Sequence, residues 1–335
     1  MSTRIVSLRN PRGEALHCML EEPAAGAAGA RFAALLLCSG VKTRVAPHRL
    51  YRKLAASFVA RGIPVLRLDF AGLGDSEGEW PDASLDSIYG LTERGHCVDD
   101  VRAACDWLEA HRGIRRFIAG GLCGAAVTAL HLALQDPRLA ALYAIGLPAT
   151  YLGSGAQPVL TAHEMRAYRM RYLRKLLRPS SWLRLLSMKS DYRLMLRMTA
   201  EALRLRKPPP PAAGAAPAAA ARDLNPYVPL GLFGMLGTGR PALVMFGEDD
   251  PLRYGFEERF MQAHWNALEQ HRSLFSYAVI PGANHILGET GAVSEANRVT
   301  GLWLDALLAG QPECRALAWG GAPAARAPRR LSPAA

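Results

Sequence analysis

Short, nearly continuous apolar runs alternate along most of this chain with stretches in which apolar residues recur at helical spacing. Such apolar runs are typical of strands that are buried on both faces of a sheet. The amphipathic stretches between them are typical of helices that cover the sheet. Predicted strands fall at 32–40, 63–70, 115–123, 140–148, 240–252 and 274–285, and predicted helices at 48–62, 98–113, 125 to about 135, near 255–270 and at 294–310. The alternation predicts a mostly parallel sheet of about eight strands with helices on both faces.

The first residues follow a different pattern. Two stretches, "TRIVSLRN" and "EALHCMLEEP", flank the turn sequence "PRG". Two extended segments joined by a short turn with glycine and proline predict a β-hairpin. The sheet is therefore expected to begin with an antiparallel pair.

The strand–helix alternation stops in the middle of the chain and then resumes. Residues 160–206 are helical in pattern and rich in Leu, Met and Arg, and the Pro- and Ala-rich segment 207–222 is typical of a linker. The predicted organisation is a core in two parts, 1–150 and 236–310, an inserted helical cap at 151–235, and a disordered tail at 311–335 rich in Ala, Pro and Arg.

Positive charge is concentrated in the predicted cap. The chain of 335 residues has a net charge of +11, and 13 Lys and Arg against three acidic residues lie between His163 and Lys207. A uniformly basic nucleic-acid binder is not arranged in this way, so no nucleic-acid partner is expected. Three explanations stay open: a solvated cap face, attraction of an anionic substrate, or peripheral contact with an anionic membrane surface.

The sequence contains no targeting or membrane-spanning signal that we recognise. No run of about 18 uncharged apolar residues occurs, and the N-terminal "MSTRIVSLRN" lacks the apolar region of a signal peptide. The six cysteines are scattered and form no CxxC pair, so neither a disulfide framework nor a zinc site is expected. These features predict a cytoplasmic protein, with peripheral membrane contact through the basic cap as an option.

Cys123 lies where a strand turns sharply into a helix. The stretch "AGGLCGAA" follows the apolar run 116–119 and precedes the helical pattern that begins after Gly124. A glycine-rich strand–turn–helix often presents a nucleophile at its tip, although an isolated free cysteine is more often a small buried residue. Cys123 is therefore a candidate nucleophile.

A base and an acid follow two later strands. "GEDD" comes after the strand "ALVMF" and contains Asp250, with Asp249 and Glu248 as rivals, and "PGANH" comes after "FSYAVI" and ends in His285. In a parallel sheet the carboxyl ends of the strands share one edge, where active sites lie. A nucleophile needs a base to take its proton, and the base needs a partner that holds its tautomer.

The order nucleophile, acid, histidine resembles that of the α/β-hydrolase superfamily, and the similarity extends from about residue 3 to 310. "GLCGA" stands in place of the elbow G-x-S-x-G, "LLLCSGV" resembles the oxyanion strand and turn, and "LRLDFAGLGDSEG" resembles the segment D-x-x-G-x-G-x-S. The cysteine at the elbow resembles that of dienelactone hydrolases and of hydrolases encoded with bacterial exosortase systems. Two departures are Ala125 in place of the last elbow glycine and cysteine in place of serine.

The resemblance implies a hydrolase of carboxylic esters or thioesters that acts through a covalent acyl-enzyme. Cys123, Asp250 and His285 would form the catalytic triad, and the backbone N–H groups of Val41 and Gly124 the oxyanion hole, with no metal or organic cofactor required. A thiolate is both a ready nucleophile and a good leaving group, so activated acyl groups should be preferred to amides. An acyltransferase of the same fold and a catalytically idle binding or scaffold protein remain alternatives. Oligomeric state, acyl group and leaving group stay open.

Other polar residues near the predicted site edge have simpler interpretations. Asp75 and Ser76 of "GLGDS" are expected to shape a loop, and Asp69 to be structural. Ser39 is expected in a turn near the oxyanion site, and His48 at the start of a helix on the surface.

Overall fold

Eight strands form one sheet in the order β1-β2-β4-β3-β5-β6-β7-β8. The computed structural model describes residues 2–24, 26, 29–40, 42–82, 84–151 and 224–310. The strands are Ser2–Arg9 (β1), Ala15–Glu22 (β2), Ala33–Leu36 (β3), Val65–Leu68 (β4), Phe117–Leu122 (β5), Leu139–Ile145 (β6), Ala242–Gly247 (β7) and Phe275–Ile280 (β8).

Strand direction agrees with the sequence pattern. β1 and β2 form the predicted hairpin, with Ile5 opposite Met19, and β2 runs antiparallel to β4. All pairs from β4–β3 to β7–β8 are parallel. The residues of the six parallel strands are almost all buried, as expected of a sheet covered on both faces.

Helices cover both faces of this sheet. They are Leu50–Val59 (α1), Leu85–Glu93 (α2), Val98–Arg112 (α3), Gly124–Gln135 (α4), Tyr227–Gly237 (α5), Pro251–Gly255 (α6), Trp265–Gln270 (α7) and Ala292–Leu308 (α8). Two buried apolar clusters result, one on each side of the sheet. None of the helices in the described parts of the chain is long and apolar enough to cross a membrane.

Three helical segments differ from the sequence prediction. α1 begins at Leu50 rather than residue 48, because His48 and Arg49 have left-handed backbone angles that no helix accommodates. The predicted helix near 255–270 is divided into α6, a π-helical turn at Phe256–Met261, and α7. α2 was not predicted; the side chain of Ser84 accepts a hydrogen bond from the Ser87 N–H and caps its first turn.

The predicted cap and tail fall mostly outside the described residues. Residues 152–223, which include the basic stretch and the linker, and residues 311–335 are not described, so the domain boundaries stay a prediction. The described end of the cap segment contains α5, which packs against α4: a Cβ on Gly231 would lie 2.9 Å from that of Leu130. The rings of Tyr227 and His131 also meet there, with centroids 4.3 Å apart.

Candidate active site

Cys123 lies in a tight turn between β5 and α4. Its φ of 57° and ψ of −118° are unusual for a residue with a side chain, and such strained angles persist only where the surroundings hold them. Its N–H donates to the Ile145 carbonyl at 2.8 Å, and its own carbonyl accepts from the Ala126 N–H at 2.9 Å. The turn therefore holds the thiol at the carboxyl edge of the sheet, where Cys123 is 9% exposed.

Small residues around the elbow allow α4 to approach β5. Ala125, which replaces the usual glycine, is fully buried, and a Cβ on Gly121 would lie 3.2 Å from its methyl group. The same Cβ would be 2.3 Å from the Tyr51 hydroxyl oxygen, which accepts the Leu122 N–H at 2.8 Å. Because Gly121 has no side chain, it leaves room for the Ala125 methyl group and the Tyr51 hydroxyl, and alanine at 125 therefore fits the elbow.

Asp250 is the carboxylate that reaches the histidine. It follows β7 and is fully buried, and its Oδ1 accepts the Leu252 N–H at 2.9 Å as the N-cap of α6. Its Oδ2 lies 2.8 Å from His285 Nδ1. Of the two rival acids, Glu248 is exposed and accepts the Gly282 N–H, and Asp249 is half-buried on the neighbouring position.

His285 lies on the loop after β8, and the loop is fixed by its own hydrogen bonds. Asn284 Oδ1 accepts the N–H of Ile286, and Glu289 accepts the N–H of Asn284. With Nδ1 bound to Asp250, Nε2 is the nitrogen left to face Cys123, whose sulfur lies close enough to this ring to affect its pKa. The structure thus brings the three predicted side chains together.

The protonated form of His285 is stabilised by its two partners. Burial disfavours the charged ring, but the hydrogen bond to Asp250, the interaction with the Cys123 sulfur and the negative charge of Asp250 outweigh it and raise the pKa of His285 to about 10. An imidazolium at neutral pH is the natural partner of a thiolate. His285 is therefore placed to stabilise negative charge that develops on the Cys123 sulfur.

Gly146 makes room for the contact between Asp250 and His285, and the sequence analysis missed it. It follows β6 with a φ of +60°, and a Cβ there would lie 2.6 Å from His285 Cε1 and 3.0 Å from Asp250 Oδ2. Nothing in the local sequence "YAIGLP" marks this glycine, because the residues it accommodates lie more than 100 positions later.

Gly146→Ala is expected to lower turnover by about 100-fold, because displacing the dyad by about 1 Å misaligns the proton transfer. The matched control is Gly282→Ala, whose φ of +62° is nearly the same but whose Cβ would meet nothing within 4 Å. Both variants should lose about 1–2 kcal/mol of stability from the left-handed backbone. Thermal unfolding of the two variants measures the loss of stability, and kcat measures the loss of turnover. Equal kcat values for the two variants would contradict this role of Gly146.

The expected oxyanion region lies between α4 and the loop after β3. Gly124 is the first residue of α4, so its N–H has no acceptor within the helix. The backbone nitrogen of Gly40 lies 3.4 Å from the position of a Cβ on Gly124. Val41 lies outside the described residues, so its predicted N–H contribution stays a prediction. Ser39 is buried in the turn at the end of this strand.

Tyr89 of α2 lies beside this region and was also missed by sequence. Its ring packs on Gly40, where a Cβ would lie 2.7 Å from Cε1. Burial, and the nearby Cys123 sulfur, raise the pKa of its hydroxyl. Because α2 was not predicted, no pattern placed this tyrosine near the site.

The other polar residues singled out from sequence lie where structural roles were expected. Ser76 Oγ donates to the Asp69 carbonyl at 2.8 Å, and Asp75 forms an ion pair with Arg44. His48 is exposed at the start of α1.

Burial raises the pKa of four other thiols, those of Cys18, Cys38, Cys97 and Cys105. No group of three or more His, Cys, Asp or Glu that could hold a metal occurs among the described residues.

Comparison with solved structures identifies the fold. The Pyrococcus furiosus esterase Pf2001 is 15% identical, with 91% of each chain covered and a TM-score of 0.53. The α/β hydrolase GrgF from Penicillium sp. sh18 is 16% identical, with 93% of this chain and 99% of that chain covered and a TM-score of 0.52. No protein-family model matches the chain, and no curated protein matches it. The chain has the α/β-hydrolase fold, as the sequence predicted.

Proposed function

We propose that this protein is a hydrolase that cleaves carboxylic esters or thioesters through a covalent acyl-enzyme on Cys123. One observation carries the proposal: His285 Nδ1 binds the buried Asp250 carboxylate at 2.8 Å, and the Cys123 sulfur lies close enough to the same ring to affect its pKa. This is the arrangement in which a base activates a nucleophile while an acid holds the base in place. The resemblance of the elbow to those of dienelactone hydrolases and exosortase-associated hydrolases supports cysteine as the nucleophile.

Acylation begins when the proton of the Cys123 thiol passes to His285. The Cys123 thiolate attacks the carbonyl carbon of the substrate, and a carbon–sulfur bond forms as the carbonyl oxygen takes up the negative charge. The Gly124 N–H and the positive end of α4 stabilise this oxyanion, and one such donor is worth roughly 3 kcal/mol. The bond to the leaving alcohol or thiol then breaks, and the His285 imidazolium supplies the proton that the leaving group needs.

Deacylation returns the enzyme to its starting state. His285, now neutral, takes a proton from water while the water oxygen attacks the acyl carbon. The carbon–sulfur bond breaks, the carboxylic acid leaves, and the thiolate and imidazolium are restored. Asp250 stays ionised and holds the ring throughout.

The leaving group determines which substrates suit a cysteine. When the tetrahedral intermediate collapses, either the thiolate of Cys123 or the substrate's leaving group departs, and a thiolate departs far more easily than an amine anion. Thioesters, enol esters and lactones should therefore react faster than amides. If the basic cap contacts the substrate, anionic acyl derivatives would be preferred, and an anionic membrane surface is the other candidate partner.

The test is the time course of nitrophenolate release from a nitrophenyl ester. We expect a burst of about one equivalent per chain, and a mass increase of one acyl group on the peptide that contains Cys123. An acyltransferase would show the same burst but a faster second phase when an alcohol or amine is added. A chain that gives neither burst nor mass change would be the idle scaffold.

The pKa of His285 predicts how activity depends on pH. Because acylation needs the imidazolium proton, kcat/KM should fall as the pH rises through about 10. The raised pKa also stabilises the fold: the benefit is complete below the ordinary pKa of about 6.5 and is lost as the pH rises through the folded value. A pH–rate profile and thermal unfolding over the same range check both. A rate that increases through pH 10 would indicate a neutral thiol activated by a neutral base instead.

A further inference from the structure

The loop between β3 and α1 borders the site where the oxyanion is expected. The backbone nitrogen of Gly40 lies 3.4 Å from the position that a Cβ on Gly124, the residue after Cys123, would occupy, and the Tyr89 ring packs on Gly40. The position of this loop therefore sets how backbone N–H groups are aligned against a reacting carbonyl.

Arg44 anchors this loop to the rest of the molecule. Its backbone N–H donates to Asp69 Oδ1 at 2.5 Å, its guanidinium Nη1 pairs with Asp69 Oδ2, and its Nη2 lies 2.5 Å from Asp75. Its carbonyl accepts from Arg67 Nη1 at 3.2 Å. Asp69 is fully buried at the end of β4, and the Arg44 side chain is only 16% exposed. One residue therefore joins three separate parts of the chain.

The segment next to Arg44 explains why such an anchor is needed. Ala46, His48 and Arg49 all have φ angles between 54° and 57°, which residues with a side chain rarely adopt. Such strained backbone angles persist only when the surroundings hold them. The loop's own backbone bonds, from Lys42 to Ser39 and from Ala46 to Thr43, are short-range turns that fix no position relative to α4.

We propose that Arg44 is a positioning residue for acyl transfer, which holds the described parts of this loop, residues 39–40 and 42–46, so that the backbone there is preorganised for the oxyanion without Arg44 itself touching the substrate. The inference rests on the proposed function, since it assumes that Cys123 attacks a carbonyl. It predicts a separation between two reactions of the same sulfur. Alkylation by iodoacetamide needs only the thiolate, whereas acylation by a nitrophenyl ester also needs a stabilised oxyanion.

Arg44→Ala is expected to lower the rate of the acylation burst by about 10- to 100-fold while the alkylation rate of Cys123 stays the same. Guanidinium ion at millimolar concentration should restore part of the burst, because it can refill the space between Asp69 and Asp75. A general loss of structure would not be repaired by a denaturant. The matched control is Arg52→Ala, which removes the same charge from an exposed position of α1.

Two further variants keep the test decisive if Arg44→Ala does not fold, since it leaves the buried Asp69 unpaired. Arg44→Met combined with Asp69→Asn removes both charges together. Asp75→Asn removes one arm of the anchor at a carboxylate that is 68% exposed, with little expected loss of stability. Slower acylation with normal alkylation in either folded variant supports the proposal. Normal acylation in both, or a parallel fall in alkylation, overturns it. A wild-type chain whose Cys123 is alkylated but never acylated would instead refute the proposed function.

Discussion

Replacing Cys123 by alanine is expected to abolish the nitrophenolate burst and to lower kcat by a factor on the order of 10⁶. The nucleophile is lost, and an oxyanion site without one retains only a small acceleration over water. Cys123→Ser should be much less active than the wild type, because a hydroxyl is a far weaker acid than a thiol and gives up its proton to His285 less readily. Burst kinetics and intact-protein mass after incubation with the ester measure both effects.

The matched control for this substitution is Cys105→Ala on α3. Cys105 is fully buried, and burial raises the pKa of its thiol, so it should neither be acylated nor contribute to turnover. Wild-type activity in Cys123→Ala, or a lost burst in folded Cys105→Ala, would place the nucleophile elsewhere.

Replacing Asp250 by asparagine is expected to lower kcat/KM by a factor on the order of 10⁴. The amide no longer holds the His285 ring in the required tautomer. It also removes the main stabilisation of the imidazolium, so the fall in activity with rising pH should move to a lower pH than in the wild type. A pH–rate profile of the variant measures both effects in one experiment.

Asp249→Asn provides the control, because it makes the same chemical change one position earlier in the chain. Asp249 does not bind His285 Nδ1, so its variant should keep the wild-type profile. If Asp249→Asn is the inactive variant, the acid has been assigned to the wrong member of "GEDD".

The order of the strands and helices follows from local patterns. Ser2–Arg9 and Ala15–Glu22 flank the turn sequence "PRG", and the strands from Ala33 onward consist mostly of apolar residues, as expected of strands buried on both faces. Two helix predictions are wrong. His48 and Arg49 have left-handed backbone angles, so α1 begins only at Leu50. The predicted helix near 255–270 is interrupted by a π-helical turn, and the sequence "LRYGFEERFMQAHW" contains no clear signal of it.

The side chains of the candidate site were predictable because each follows a strand. Cys123 follows a glycine-rich strand end, and Asp250 and His285 follow the last two strands, so the parallel sheet carries all three to one edge. The residues that support them were not predictable in this way. Gly146 matters because the Asp250–His285 pair fills the space where a side chain would be. Tyr89 lies on α2, a helix that the sequence pattern does not predict. Arg44 matters because it binds Asp69 and Asp75, which lie more than 20 residues later in the chain.

The sequence by itself determined the fold class, the strands that end in reactive side chains, and the chemical types of those side chains. These are properties of residue type and short-range spacing, which a single segment expresses on its own. Only the tertiary structure decided which carboxylate binds His285 and how far the pKa of that ring is raised. It also decided that Gly146 and Arg44 are the residues that position the site. Those properties depend on atoms that are distant in the chain and close in space, and on burial, which no segment has before the sheet is assembled.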